Sequence, residues 1–208
     1  MRRCVIVGGA PITAIDLIAG ELRDDDYLIA CDCGLRHLEA LGRTPDLVVG
    51  DFDSHEKPQL SAETIVLPRE KDDTDTCYAA KEALRRGFGS FLLLGAVGAR
   101  LDHSLGNLGV LQLLHDAGAA AKILDDYGEM ELVDDREKTV TADYPFFSLL
   151  NISGTARHVT VTGAKYPLTD AEIPCGTSLG VSNEPLPGQT AHIRVGEGRL
   201  LLVRIRKE

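Results

Sequence analysis

The chain has 208 residues, of which 44% are hydrophobic and 26% are charged, and its formal net charge at pH 7 is −10. That apolar content is enough for the core of one domain or of two modest ones. The negative charge argues against broad contact with nucleic acid or an anionic membrane, and no apolar run approaches the ~20 residues that span a bilayer. A small anionic ligand stays compatible, because a metal ion or local cations can reverse the field at one site.

The five cysteines follow no framework spacing, which predicts reduced thiols and a cytoplasmic protein: Cys4, Cys31, Cys33, Cys77 and Cys175. The first residues are typical of a strand, not of a signal peptide. Cys31 and Cys33 could bind a metal, but no second pair or histidine cluster accompanies them. We favour small buried residues that flank a loop.

The first 125 residues alternate between apolar runs and helical patterns. The predicted strands are 4–7, 27–31, 47–49, 64–67, 91–94 and 121–124, and the predicted helices are 12–22, 35–41, 74–86 and 102–117. In the last helix, leucines 105, 108, 111 and 114 are expected to form one apolar stripe. Strands that alternate with helices predict a mostly parallel sheet covered on both faces.

From about residue 129 the pattern changes to short strand-like segments without a convincing amphipathic helix. These segments are 129–133, 137–141, 146–152, 158–162, 191–195 and 200–205. We therefore predict an α/β fold, with an N-terminal mostly parallel α/β domain at 1–126 and a smaller C-terminal antiparallel β-sandwich at 127–208.

Aspartates recur where predicted strands or loops end: Asp32, Asp51 with Asp53, Asp72 and Asp73 with Asp75, and Asp102. Carboxylates gathered at one sheet edge repel each other unless a cation lies among them. Hard oxygen ligands, with phosphate as a co-ligand, suit Mg²⁺. The sequence therefore predicts a metal–polyphosphate site.

Asp51 and Asp53 lie two residues apart after an apolar strand, so both carboxylates can point to one ion. Gly50 allows a turn or a close approach to a ligand, and Ser54 could cap the turn or donate to a phosphate. The alternative is an ordinary turn rich in Asp and Ser.

The segment 71–75 precedes a predicted helix. We expect Asp72 or Asp73 to be the helix N-cap and Asp75 to lie in the first turn, where it can also reach a metal. Lys71 is either a cation for phosphate or a solvated lysine.

Residues 94–108 predict a strand, a glycine loop and a helix, an arrangement that presents backbone N–H groups to an anion. Arg100 can bind phosphate with two hydrogen bonds. His103 is a candidate base, although a hydrogen-bonded structural histidine is favoured. Gly106 and Gly109 inside the helix suggest close packing against it.

The ordered set of motifs resembles the thiamine pyrophosphokinase (thiamin diphosphokinase) family. The resemblance rests on DCG at 32–34, GDFDS at 50–54, KDDTD at 71–75, GAVGARLDHSLGNL at 95–108, GAKYPL at 163–168 and GVSNE at 180–184. Two residues depart from the family pattern, Cys33 and Ala99, each in place of a glycine. The chain has no Trp, so another residue must stack on the thiamine ring.

The resemblance implies Mg²⁺-dependent transfer of pyrophosphate from ATP to the hydroxyl of thiamine, in a homodimer with sites at the subunit interface. It implies that domain 1–126 is nucleotide-binding and catalytic, and that domain 127–208 binds thiamine and dimerises. By resemblance, the catalytic and metal residues are Asp51, Asp53 and Asp75; the nucleotide side is Asp32, Ser54, Lys71, Arg100, Asp102, His103 and Asn107; and the thiamine side is Thr74, Ser182 and Asn183.

Two other classes of function are weighed against this one. A phosphohydrolase of the HAD type would use Asp51 as nucleophile, but His55 stands where that class has Thr or Val. A nucleotide sensor without activity would need no cluster of metal carboxylates.

Overall fold

The computed structural model of the protein describes residues 2–52, 61–70, 72–98 and 100–206. The chain divides into two compact units, Met1–Asp126 and Tyr127–Glu208. Within the described residues, the first unit contains all the helices of four or more residues, and the second unit is built of strands.

The first unit is built on a parallel sheet. Its strands are β1 (Cys4–Val7), β2 (Tyr27–Cys31), β3 (Leu47–Gly50), β4 (Glu63–Val66), β5 (Ser90–Leu94) and β6 (Ala120–Leu124). They lie in the order β4-β3-β2-β1-β5-β6, and every neighbouring pair is parallel. Strands β1 and β3 are buried along their whole length, as expected where helices cover both faces. The predicted mostly parallel α/β fold is confirmed.

Four helices connect these strands: α1 (Ile15–Glu21), α2 (Leu35–Ala40), α3 (Asp75–Arg85) and α4 (Leu101–Asp116). A single 3-10 turn, Asp32–Gly34, precedes α2. Because all six strands run the same way, their carboxyl ends share one edge of the sheet. The loops that follow β1, β2, β3 and β5 therefore meet at that edge.

The N-cap expected at Asp72 or Asp73 is wrong. Thr74 caps α3, and its hydroxyl accepts a hydrogen bond from the Cys77 N–H at 3.2 Å. Asp73 instead accepts two hydrogen bonds from Lys81, at 2.7 and 2.8 Å. A threonine satisfies the same orphan N–H as an aspartate would, which leaves Asp73 available for the ion pair.

The apolar stripe expected along α4 is also wrong. Its buried residues are Ser104, Asn107, Val110, Leu111 and Leu114, while Leu105 is 60% exposed. Leu105 and Leu114 are nine positions apart, which at about 100° per residue places them on opposite faces. Added Cβ atoms at Gly106 and Gly109 would meet nothing within 4 Å, so the expected close packing there is wrong too.

The second unit is a sandwich of two antiparallel sheets. One sheet holds β7 (Gly128–Val133), β9 (Phe146–Leu150) and β13 (Leu200–Ile205), and the other holds β8 (Lys138–Val140), β10 (Thr155–Thr162), β11 (Leu168–Pro174) and β12 (Ala191–Arg194). Both sheets contribute to one core, for example through Phe147 and Leu202 from the first and Val161 and Ile193 from the second. The predicted C-terminal β-sandwich is confirmed.

Strand β11 was absent from the sequence-based expectation. Its inward residues Leu168 and Ile173 are five positions apart, so they do not alternate with period two. Register shifts in its pairing with β10 explain this spacing, and Asp170 has a left-handed φ of 48°. The strand lies at the edge of its sheet, where a polar sequence that ends in Pro174 is tolerated.

Candidate active site

A cavity of about 310 Å³ lies at the carboxyl edge of the parallel sheet. Its walls come from the turn after β1, the end of β2, the start of α3, the turn after β5 and the first turns of α4. The lining residues are Gly8, Gly9, Ala10, Pro11, Cys31, Asp32, Cys33, Thr74, Asp75, Thr76, Gly95, Ala96, Arg100, His103, Ser104 and Asn107. The site is therefore assembled by the fold from loops that are distant in sequence.

Two glycine turns form one wall of this cavity. A Cβ at Gly8 would lie 2.6 Å from the Gly95 carbonyl oxygen, and a Cβ at Gly95 would overlap the Gly8 carbonyl. The Gly8 N–H donates to Leu94 at 2.8 Å and the Ala10 N–H donates to Gly95 at 2.9 Å. Only glycine permits this approach, so backbone and not side chain faces the cavity there.

Two carboxylates line the same cavity. Asp32 has a left-handed φ of 42°, an uncommon conformation outside glycine that is often found at functional sites. Its carboxylate accepts a hydrogen bond from the Cys33 thiol at 3.3 Å. Burial and this hydrogen bond raise the pKa of Cys33. Asp75 lies at the start of α3, and burial followed by the charge of Asp75 raises the pKa of Cys31.

Asp51 reaches the same edge because it directly follows β3, the neighbour of β2. A Cβ on Gly50 would lie 3.4 Å from the Cα of Asp32, so the two strand ends are in contact. Phe52 has a left-handed φ of 52° and packs against the apolar core. Asp53, Ser54 and Lys71 lie outside the described residues.

No group of three or more His, Cys, Asp or Glu side chains among the described residues is arranged to hold a metal ion. The predicted set of Asp51, Asp53 and Asp75 includes one residue outside that part of the chain. The metal assignment of these three residues therefore stays a prediction.

The first turns of α4 bring a cation to the cavity. Arg100 donates two hydrogen bonds to Asp102, at 2.9 and 2.5 Å, and both side chains are exposed. These hydrogen bonds hold the pKa of Asp102 well below its usual range. Arg100 and His103 line the cavity, whereas Asp102 itself does not.

Two polar residues of α4 fix the turn after β5. Asn107 is buried and donates to the Ala96 carbonyl at 2.7 Å. The Ser104 hydroxyl accepts from the Gly98 N–H at 3.0 Å. Asn107 therefore shapes the cavity through the backbone of this turn, and Ser104, which the sequence analysis did not single out, does the same.

The turn at 180–184 lies in the second unit. Ser182 has a left-handed φ of 56°, and its N–H donates to Ser148 at 3.0 Å. The Asn183 side chain is 3% exposed and is held by the backbone of Tyr166 and Glu184. The two residues of this turn that were expected to act on thiamine thus differ: Ser182 is exposed, while the Asn183 amide already forms hydrogen bonds.

Sequence reasoning missed the wall at residues 8–11. The signal was present, since Gly8 and Gly9 follow the first apolar run as Gly95 follows a later one. Of the predicted residues, Asp32, Thr74, Asp75, Arg100, His103 and Asn107 line the cavity.

Comparison with known proteins agrees with this arrangement. Residues 19–123 match the family model for the thiamin pyrophosphokinase catalytic domain, and residues 132–200 match the model for its vitamin B1 binding domain. The chain belongs to the thiamin pyrophosphokinase family. Membership of this family argues against the phosphohydrolase and sensor alternatives.

Relatives within the family align over nearly the whole chain. Thiamine pyrophosphokinase of Bacillus subtilis is 27% identical over 98% of this chain and 99% of its own length. Its crystal structure superposes with a TM-score of 0.87. The structure of thiamin pyrophosphokinase from Geobacillus thermodenitrificans is 29% identical, has a TM-score of 0.82 and covers 98% of this chain and 97% of its own.

Within the described residues, none of the helices in this family member combines the length and the hydropathy that a membrane crossing requires.

Proposed function

We propose that the protein is a Mg²⁺-dependent thiamine diphosphokinase that uses ATP as co-substrate and releases AMP. The observation that carries the proposal is the cavity itself, in which two glycine turns, a guanidinium and the carboxylates of Asp32 and Asp75 meet. The glycine turns line the cavity without side chains, Arg100 suits the charge of a polyphosphate, and carboxylates suit its metal ion. Family membership supplies the reaction class.

Arg100 is the proposed phosphate ligand of the nucleotide side. Its guanidinium already forms a two-pronged contact with a carboxylate, which is the geometry that also fits phosphate. Asp102 is exposed and can release the guanidinium at little cost, because an exposed ion pair contributes little stability. Asp32, His103 and Asn107 complete this side, and Ser54 and Lys71 are proposed to join it.

The residues present fit Mg²⁺ by their chemistry. Asp32, Asp51 and Asp75 offer hard carboxylate oxygens at one sheet edge, and Asp53 is proposed as a further ligand. Asp51, Asp53 and Asp75 would hold the ion, which would supply charge neutralisation for the polyphosphate.

The proposed transfer joins the hydroxyl oxygen of thiamine to the β-phosphorus of ATP and breaks the bond between that phosphorus and the oxygen of the leaving AMP. Such a reaction is accelerated mainly by alignment of the reacting groups and by neutralisation of the phosphate charge. Asp75 is the proposed acceptor of the hydroxyl proton, because it lines the cavity in which the phosphates are proposed to bind. Thr74, which also lines the cavity, is proposed to contact thiamine.

The second unit is proposed to bind the thiamine ring. The Ser182 hydroxyl has no hydrogen-bond partner among the described residues and is exposed. Tyr166 is 56% exposed although its backbone is held by Asn183. An exposed aromatic ring on a backbone segment that is held in place is a suitable stacking surface in a chain without Trp. Ser182 and Tyr166 therefore offer a polar and an aromatic contact, and Asn183 positions both.

A homodimer is proposed to complete the site. Leu101 and Leu105 are exposed on α4 beside the cavity, and Tyr166, Leu179 and Val181 are exposed near the turn at 180–184. Burial of such apolar side chains favours association. In a two-fold dimer, the turn of one subunit can cover α4 of its partner.

The experiment is mass-spectrometric analysis of purified protein incubated with thiamine, ATP and Mg²⁺. We expect thiamine diphosphate and AMP in equal amounts, and loss of both in excess EDTA. Stoichiometric ADP, or full activity in EDTA, would contradict the proposed mechanism. Sedimentation of the protein as a monomer would contradict the dimer alone.

A further inference from the structure

Asp126, which neither the motifs nor the site described above includes, bonds the segment that follows the cavity wall at residues 8–11. Its carboxylate accepts hydrogen bonds from the Thr13 N–H at 2.8 Å, the Thr13 hydroxyl at 2.5 Å and the Ala14 N–H at 3.0 Å. Asp126 is 8% exposed, so these bonds form at a largely desolvated carboxylate. Bonds of this kind to an ionised group are stronger than neutral ones.

The near end of the same wall is held by other groups. Gly8 and Ala10 donate to the carbonyls of Leu94 and Gly95. The Ala10 carbonyl accepts from the His37 Nε2, 2.9 Å away. Pro11, which lines the cavity, lies two residues before Thr13 and has a fixed φ. Hydrogen bonds thus hold the chain on both sides of the wall, and Asp126 accepts those on the α1 side.

The local sequence does not hold this end by itself. Ala14 is the N-cap of α1 and offers no capping side chain. Two backbone N–H groups would otherwise depend on water, which does not fix their direction. Asp126 satisfies them from a position 112 and 113 residues away in the chain.

We infer that Asp126 is a positioning residue for the nucleotide: it fixes residues 8–11, which line the cavity, so that this wall keeps the shape that accepts the phosphates. This inference rests on the proposed function. Loss of the carboxylate should loosen the wall and weaken binding of ATP, while thiamine contacts, which are proposed for other residues, stay unchanged. A residue that only stabilised the fold would lower the melting temperature without a selective effect on ATP.

The chain offers matched variants. Asp126→Asn keeps the shape of the side chain, but its NH₂ group cannot accept from a backbone N–H. Thr13→Val removes only the hydrogen bond from the hydroxyl to Asp126, whereas Thr13→Ser keeps a hydroxyl that can form it. Asp143→Asn is the control for charge, because Asp143 accepts from the Thr141 hydroxyl at 3.0 Å in an exposed pair of the second unit.

The test is calorimetric titration of each purified full-length variant with ATP and Mg²⁺, together with steady-state kinetics and thermal melts. We expect Asp126→Asn to raise the Kd and the KM for ATP about tenfold, which corresponds to roughly 1.4 kcal/mol. Thr13→Val should raise the Kd about threefold, within the range for one hydrogen bond. The Kd for ATP of Thr13→Ser and of Asp143→Asn should stay within about twofold of the wild-type value, because neither variant is expected to lose a hydrogen bond at the wall.

The inference would be overturned if the Kd for ATP stayed within about twofold of the wild-type value in both Asp126→Asn and Thr13→Val, because such a change corresponds to less free energy than one hydrogen bond contributes. An equal rise in the KM for thiamine would overturn it as well. If Asp126→Asn fails to fold, the Thr13 pair still decides. Wild-type protein that binds ATP but forms no thiamine diphosphate would reject the proposed function alone, whereas wild-type protein that binds no ATP would reject both the proposed function and the inference.

Discussion

The side-chain amide of Asn183 forms two hydrogen bonds with the backbone of Tyr166, 17 residues away in the sequence. Its oxygen accepts from the Tyr166 N–H at 3.0 Å, and its nitrogen donates to the Tyr166 carbonyl at 2.8 Å. The same oxygen accepts from the Glu184 N–H at 2.9 Å. Since this amide is buried and already bonded three times, it acts on a ligand through the segments that it joins.

We predict that Asn183→Ala lowers stability by about 1–3 kcal/mol, because three backbone groups lose a buried partner. The KM for thiamine should rise and the KM for ATP should change little. Chemical denaturation and kinetics with each substrate varied in turn measure the two effects. Ser182→Ala is the control: it should raise the KM for thiamine without a loss of stability. A rise confined to the KM for ATP would contradict the assignment of this turn.

The contrast between Ser182 and Asn183 shows where sequence reasoning ends. A polar pair between two strands indicates a turn, but only the fold shows that one member faces solvent and the other faces the backbone of Tyr166. Most of the parallel strands were predictable because they are short apolar runs. The α4 face was not, because Ser104 and Asn107 are buried to bond a neighbouring turn, whereas Leu105 is exposed. Tertiary contacts outweighed hydrophobicity at those positions.

Gly34 and Gly106 should respond to alanine in opposite directions. A Cβ on Gly34 would overlap the Val7 carbonyl at the end of β1, whereas a Cβ on Gly106 would meet nothing within 4 Å. We predict that Gly34→Ala destabilises the protein by about 1–3 kcal/mol through overpacking. Gly106→Ala should stabilise it by roughly 0.5–1 kcal/mol, since alanine is the better helix former. Urea denaturation of the two variants measures this difference, and a stabilising Gly34→Ala would contradict the close approach of β1.

Asp53→Asn is predicted to abolish turnover while the protein stays folded. Loss of one hard anionic ligand weakens the metal site, and relief of repulsion should leave the stability of the metal-free protein unchanged or higher. The measurement is kcat at saturating substrates together with a thermal melt. Retention of more than about a tenth of the wild-type kcat, which corresponds to a change in the activation barrier below ~1.4 kcal/mol, would refute the metal role. Asp24→Asn, which changes an exposed aspartate in a surface ion pair, is the control for charge.

Asp75→Asn separates the proposed base from the other carboxylates. If Asp75 accepts the proton of the thiamine hydroxyl, the variant should lose activity by about 10²–10⁴-fold, the usual contribution of a general base. Binding of ATP in the absence of thiamine should fall less than turnover. Calorimetry and single-turnover assays make the comparison. Equal losses in ATP affinity and in turnover would assign Asp75 to the metal site alone.

The buried ion pair between Arg3 and Asp26 predicts how stability depends on pH. The Arg3 guanidinium donates to both carboxylate oxygens, at 2.9 and 2.6 Å, and the side chains are 7% and 0% exposed. Burial alone would raise the pKa of Asp26, but the hydrogen bonds from Arg3 and from the Arg23 N–H outweigh it and hold the pKa below its usual value.

A carboxyl with a depressed folded-state pKa binds protons more readily when the chain is unfolded. Its stabilisation is therefore complete above the unfolded-state pKa of about 3.9 and is lost as the pH falls through the lower folded-state value. We predict that the free energy of unfolding declines below about pH 4 and that Asp26→Asn removes part of this decline.

At pH 7, Asp26→Asn should lower the free energy of unfolding by about 3–5 kcal/mol, because Arg3 stays buried without its partner charge. Arg3→Met with Asp26→Leu should recover much of that loss, since apolar side chains of similar volume can replace a buried pair. Urea denaturation between pH 2 and 7, a window of about two units below to three above that pKa, gives the comparison. A pH profile of Asp26→Asn that parallels the wild type would show that this pair does not set the acid limit of the fold.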